Sequence, residues 1–160
     1  MNWGEFAAAA PELAGLGQGL LERAGLCFLA TLRADGWPRI SPCEPFIVDG
    51  EMMLGMMWRS KKARDLHRDP RFTLHSAHAE RTGTEGDFKL YGRAVEVTDP
   101  QQRERYAQTV ENKIEWRPPD PYHLFCMDIE HAAYIRFGED REALRWSPAE
   151  GLVHLRHPAD

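Results

Sequence analysis

Two Asp-Gly pairs, Asp35-Gly36 and Asp49-Gly50, set the tightest limit on what this chain can fold into. Each lies between stretches that read as strands: Leu26–Arg33, then Trp37–Val48, then Glu51–Trp58. An Asp-Gly step supplies the positive φ that a tight hairpin demands. Two hairpins in succession make an antiparallel meander and exclude a β-α-β unit over these residues. Pro38, Pro42 and Pro45 fall in the middle segment. Proline cannot donate to a ladder, so that strand is expected to be irregular and partly at a sheet edge.

The rest of the chain extends this pattern. Residues 5–24 carry Leu13, Leu16, Leu20 and Leu21 at helical spacing, weakened by Gly15, Gly17 and Gly19 and stopped by Gly25. Residues 1–24 are therefore expected to be an N-terminal helical segment. Ser60–Arg68 reads as a short helix with Ser60 as N-cap and Asp69-Pro70 as its end. Strands are expected over Arg71–His78, Asp87–Thr98 (with Gly92 as a bulge), Leu124–Phe137 and Glu142–Ser147. Residues 79–86 read as a polar loop. Asp99, Pro100 and Gln102 open another helix, which runs to about Trp116 before the rigid Arg117–Pro121 connector. Residues 151–160 read as a peripheral tail. The expectation is a mainly β chain of α+β class: six or seven antiparallel strands, two or three short helices, and a small barrel whose closure removes exposed edges. At 160 residues this is one domain's worth of chain.

Composition removes several function classes. The longest apolar stretches are too short to cross a bilayer, and the first residues lack a basic start and apolar core, so the chain is expected to be cytoplasmic and not membrane-bound. Cys27, Cys43 and Cys126 are odd in number and form no C-x-x-C pair, which argues against a disulfide framework or structural zinc. The seven histidines include no H-E-x-x-H, and His75 and His78 are expected on opposite faces of a strand, so no bound metal is expected. There is no G-x-S-x-G elbow, no G-x-G-x-x-G and no G-x-x-x-x-G-K-[ST].

Charge is concentrated in one place. The net charge is −5, yet residues 59–71 hold six Lys/Arg and two Asp, a local +4. A compact basic segment on an acidic chain suits a small anion better than nucleic acid, and no aromatics stand between its cations. Lys61 and Lys62 occupy the first turn of the expected helix, where they oppose its dipole at about 0.3–1 kcal/mol each. A phosphate held by the first N–H groups, the Ser60 hydroxyl and the ammonium groups would reverse that penalty. Arg39 is a second candidate, on the strand after the first hairpin. Met56, Met57 and Trp58 lead into the basic helix and could line a flat aromatic ligand.

Residues about 25–99 resemble the pyridoxamine 5′-phosphate oxidase-like family of FMN-binding split barrels. The resemblance is carried by G-L-C-F-L-A-T-L-R-A-D-G-W-P-R-I-S-P, D-G-E-M-M-L, S-K-K-A-R-D-L-H-R-D-P-R-F-T-L and L-Y-G-R-A-V-E-V-T-D, in that order. Its most specific piece is S-x-K-x-x-x-L-x-x-x-P-R, with Ser60, Lys62, Leu66, Pro70 and Arg71. The resemblance implies a split barrel and a homodimer with FMN at two interface sites. It implies that Arg39, Lys61 and Lys62 contact FMN, the lysines near its phosphate, with Ser60 opening the same helix. Met56–Trp58 would pass the isoalloxazine ring, and Trp146 would reach the site from the partner chain. Members of the family that use the deazaflavin F420 place its phosphate in a similar basic groove. The R-x-H-x-R signature of the pyridoxal phosphate-forming members is missing: the chain ends L-R-H-P-A-D, and Arg156 and His157 do not make the motif. The expectation is thus a flavin-dependent oxidoreductase of a small-molecule substrate, with F420 use or non-catalytic flavin binding as alternatives, and with no residue singled out as acid or base.

Overall fold

A computed structural model describes residues 1–78 and 80–159. Ala79, in the expected polar loop, and Asp160, in the expected tail, lie outside the described residues. The elements in chain order are α1 (Trp3–Ala9), α2 (Pro11–Ala24), β1 (Cys27–Leu32), β2 (Pro38–Cys43), β3 (Pro45–Val48) and β4 (Glu51–Met57). Then come α3 (Lys61–Arg68), β5 (Arg71–Ser76), β6 (Asp87–Glu96), α4 (Pro100–Ile114), β7 (Tyr122–Arg136), β8 (Glu142–Ser147) and β9 (Gly151–His154).

All nine strands belong to one antiparallel sheet in the order β2-β1-β5-β6-β7-β4-β3, with β8 and β9 branching from β7. The mainly β, α+β split-barrel class expected from sequence is the class observed, with more pieces. Closure is not by hydrogen bonding: apart from the branch that ends at β9, the strand path stops at two edges, β2 and β3. They are consecutive in the chain and separated by Glu44 alone, so the sheet curls until its edges meet at that corner. Pro42 and Pro45 explain the break, since they flank the point where one strand would have continued. The second Asp-Gly pair makes a two-residue hairpin, Asp49 at φ 51° and Gly50 at φ 79°.

Two other departures have local causes. The N-terminal segment is two helices. Ala10 leaves helical geometry ahead of Pro11, whose ring disfavours helical conformation in the preceding residue. Residues 151–154, expected within a tail, form β9 against β8. The expected bulge is present: the register of β6 on β7 shifts between Tyr91 and Gly92. A Cβ at Gly92 would meet the Asp128 carbonyl oxygen, so the bulge has room only for glycine.

The main core lies between the sheet and the α1–α2 pair, with Phe6, Leu13, Leu29, Leu54, Leu74, Phe88, Leu90 and Trp146 fully enclosed. A second cluster, around Val48, Tyr106, Val110 and Leu124, seats α4. Among the described residues, no helix is long and apolar enough to cross a membrane. The three cysteines are free. Burial holds the Cys27 thiol well above its usual range, raises Cys43 against the lowering influence of Lys62, and pushes Cys126 up to about 12.

Candidate functional site

The basic segment folds as foreseen. Ser60 caps α3, its Oγ accepting from the Ala63 N–H at 3.4 Å, and Ala63 and Leu66 form the inner face. Asp65 is also buried, at 3% exposed. Its carboxylate accepts from Thr31 Oγ1 at 2.9 Å and Arg39 Nε at 2.6 Å, with Arg68 Nη1 at 3.5 Å. Burial raises the proton affinity of this carboxyl, but the Arg39 and Thr31 hydrogen bonds and the Arg39 charge outweigh it, so the group sits below the usual carboxylate range. Thr31 and Arg39 are direct cross-strand partners on β1 and β2, which places both opposite α3.

Around this buried pair opens a cleft lined by Arg33, Asp35, Arg39, Lys61, Arg64, Asp65 and Arg68. Both carboxylates are engaged: Asp35 by Arg33 at 2.8 Å, and Asp65 as above. Among the described residues, no carboxylate pairs with Lys61 or Arg64. The first turn of α3 holds no acid, so two uncompensated cations stand where the helix dipole is already positive.

A second groove lies on the other side of the same helix start. It is lined by Met56, Met57, Trp58 and Lys62 together with Tyr106, Trp116, Tyr122 and the prolines of the connector. Its volume is about 490 Å³, within the span of small-molecule sites. Lys62 Nζ donates to the Pro42 carbonyl at 3.2 Å. The sequence paired Lys61 with Lys62 as joint anchors. The structure sends them to different grooves, because successive helical residues point about 100° apart.

Six of the eight named residues thus divide between two neighbouring grooves: Arg39 and Lys61 in the basic one, Met56, Met57, Trp58 and Lys62 in the apolar one. Ser60 stands between them. Met56 is buried, whereas Met57 and Trp58 are exposed. Trp146 is not brought to either groove. It is 2% exposed, edge-on to Phe6 at 5.0 Å in the core under α1, and offers no surface to a neighbouring chain.

Sequence reasoning set Arg64 beside the lysines without naming it as a ligand contact, and missed Arg33 and Arg68 as cleft residues and Asp65 as their buried organiser. The legible signal for Asp65 was its place three residues from Ser60-Lys61-Lys62, one position ahead of Leu66 on the inner face. It also missed a cluster of His67, Glu96 and His123, whose ligand-type atoms lie within 4.8 Å of one another. His75 and His78, expected on opposite faces, have rings 6.2 Å apart, because β5 stops at Ser76.

A family model described as pyridoxamine 5′-phosphate oxidase matches residues 17–136. No curated protein matches. Among solved structures, a pyridoxamine 5′-phosphate oxidase-related, FMN binding protein from Nostoc punctiforme shares 16% identity. It covers 91% of this chain and 97% of its own, with TM-score 0.68. A protein of Clostridium acetobutylicum related to general stress protein 26, of the pyridoxinephosphate oxidase family, shares 17% identity. It covers 87% and 98%, with TM-score 0.66. A heme binding protein from Mycobacterium smegmatis shares 16% over 83% and 57%, with TM-score 0.63. At these identities the structures speak for the fold. The family match spans both hairpins, the basic helix and the long strands, and the chain belongs to the pyridoxamine 5′-phosphate oxidase family.

Proposed function

We propose that this chain is an FMN-dependent oxidoreductase that acts on a small-molecule substrate as a homodimer. The observation that carries the reading is the pair of uncompensated cations, Lys61 and Arg64, at the start of α3 beside the Arg39–Asp65 bond. A phosphate monoester dianion fits that donor set. It would take the first backbone N–H groups of α3, the Ser60 O–H, which remains a donor while Oγ caps the helix, and the two cations. The apolar groove and the exposed Met57 and Trp58 suit a flat ring system adjoining that phosphate.

FMN, when bound, supplies the two-electron redox chemistry. The chain's own residues bind and orient. Asp65 fixes the Arg39 guanidinium from behind, the helix start holds the anion, and the apolar groove excludes water from the ring. The outward face of the β1–β2 ribbon carries exposed Phe28 and Ile40, with Trp37 close by in the turn. Such a strip suits burial against a second copy. Formation of pyridoxal phosphate is not part of the reading. His157 is 4% exposed and packed edge-on against Phe137 at 4.8 Å, a poor position from which to hold a substrate phosphate. Three free thiols suit a reducing cytoplasm.

The test is a titration of purified protein with FMN and, separately, with F420, followed by absorbance and flavin fluorescence. The reading expects saturable FMN binding that the Lys61→Ala/Arg64→Ala variant weakens. Each charge-assisted contact contributes about 1.5–3 kcal/mol, so losing both should weaken binding by about a hundredfold or more. Tight binding of F420 with weak binding of FMN would move the chain to the deazaflavin users. Bound FMN that no pyridine nucleotide or substrate reduces would make it a carrier or sensor instead.

A further inference from the structure

We propose that His67, Glu96 and His123 form a binding site for one divalent transition-metal ion of the zinc or cobalt class, separate from the basic cleft. The inference does not depend on the flavin reading.

Three elements converge here. Glu96 ends β6 opposite Phe125, and His123 lies two residues before Phe125 on β7, so the two side chains share one sheet face as diagonal neighbours. His67 comes down from α3 and packs against Phe125 at 5.4 Å between ring centres. The distances are 3.0 Å from His123 Nδ1 to Glu96 Oε1, 3.4 Å from His67 Nε2 to His123 Nδ1 and 3.5 Å from His67 Nε2 to Glu96 Oε1.

That triangle has the dimensions of three ligands around one metal. Its circumscribed radius is about 1.9 Å, so an ion about 2.0–2.1 Å from all three atoms sits just off their plane, which is the bond length zinc takes to nitrogen and carboxylate oxygen. Neighbouring ligands at such bond lengths are about 2.9–3.4 Å apart in octahedral or tetrahedral arrangements, close to the observed sides.

The donor chemistry agrees. Two imidazoles and one carboxylate are borderline ligands, suited to zinc, cobalt, nickel or iron(II) and poorly suited to calcium or magnesium. Ring N–H groups can donate to Glu96 across these contacts, and a metal ion would replace those protons and engage all three atoms at once. The rings are also held in place. Trp58 stacks on His123 at 4.5 Å and 14°, and His123 is itself buried. His67 and Glu96 keep side-chain exposures of 39% and 36%, so an ion can enter from their side. Three protein ligands leave at least one coordination position for water or an anionic ligand.

The experiment uses untagged full-length protein, stripped with EDTA and desalted. Zn²⁺ is titrated by calorimetry and Co²⁺ by visible absorption, with and without added FMN. The proposal expects one ion per chain, ordered Co²⁺ bands, and about 100-fold or more weakening in His67→Ala and in Glu96→Gln, since even outer groups that orient ligands are worth 10–100-fold. Both residues are partly exposed, and thermal melts check that the variants fold. If one fails to fold, the other decides. His154→Ala serves as the control, because His154, Glu12 and Glu142 form a second, more exposed group of possible ligands. Unchanged affinity in His67→Ala and Glu96→Gln, loss of the bound ion in His154→Ala, or no saturable uptake at millimolar Zn²⁺ would each overturn the site. Metal uptake without FMN binding would overturn the flavin reading and leave this one standing.

Discussion

Asp65 shows how one residue can organise a site it need not touch. It is enclosed, and its carboxylate engages Thr31, Arg39 and Arg68. Replacing it with alanine strands a buried hydroxyl and a largely covered guanidinium. We expect a loss of about 3 kcal/mol, at the low end for a broken buried pair because Arg39 keeps some solvent, measured by urea denaturation. Its pH signature has a definite sign. The folded-state affinity for protons is lowered, so the stabilisation is present above the ordinary carboxylate pKa of about 3.9 and is lost as pH falls through the lowered value. Asp65→Asn should therefore flatten the acid limb of the stability profile, and an unchanged limb would remove Asp65 as its source. At this scale the sequence was legible where charge was unusual. Lys61 stood out because a cation in a first turn is unfavourable, whereas Arg64 and Arg68 look like any solvated helix face. Lys61 and Lys62 looked equivalent because adjacency in sequence hides the turn between helical neighbours.

Among elements, α3 and the β6–β7 pair carry the most local information. Ser60→Ala should cost about 1 kcal/mol of stability through the lost cap and weaken FMN binding as well, whereas a purely structural role would change only the melt. Gly92→Ala should destabilise by about 1–3 kcal/mol, because the new methyl meets the Asp128 carbonyl and the bulge must shift. A proteolysis or melting comparison with Gly19→Ala, where nothing lies within 4 Å, separates this clash from any general effect of added methyl groups. Both hairpins, the α3 cap and the Gly92 bulge were readable from sequence, since each rests on residues within a few positions of one another. The division of the N-terminal helix was readable in principle from Pro11, but the leucine spacing ran across it. β9 was not readable: Gly151–His154 is short and takes its strand form from β8.

At the scale of the whole molecule, the unpartnered feature is the outward face of the β1–β2 ribbon, with Phe28 44% and Ile40 72% exposed. Phe28→Asp/Ile40→Asp should shift sedimentation from dimer to monomer and reduce FMN affinity together. A chain that sediments as a monomer before any substitution would remove the homodimer. The His67–Glu96–His123 cluster belongs to this scale too, since its members stand 29 and 27 positions apart and only the packing of α3 on β6 and β7 unites them. Spacing rules for metal motifs read single helices and turns, so they are blind to it. Glu44 has a further consequence as the only residue between the two sheet edges. Side chains on a strand alternate faces, so there is no slack at this seam to absorb a frameshift. One extra residue inserted there would turn one border inside out, either pointing Arg39 to bulk water or burying the wrong side of Pro45–Val48. Lengthening the Arg33–Trp37 turn by the same amount should be tolerated.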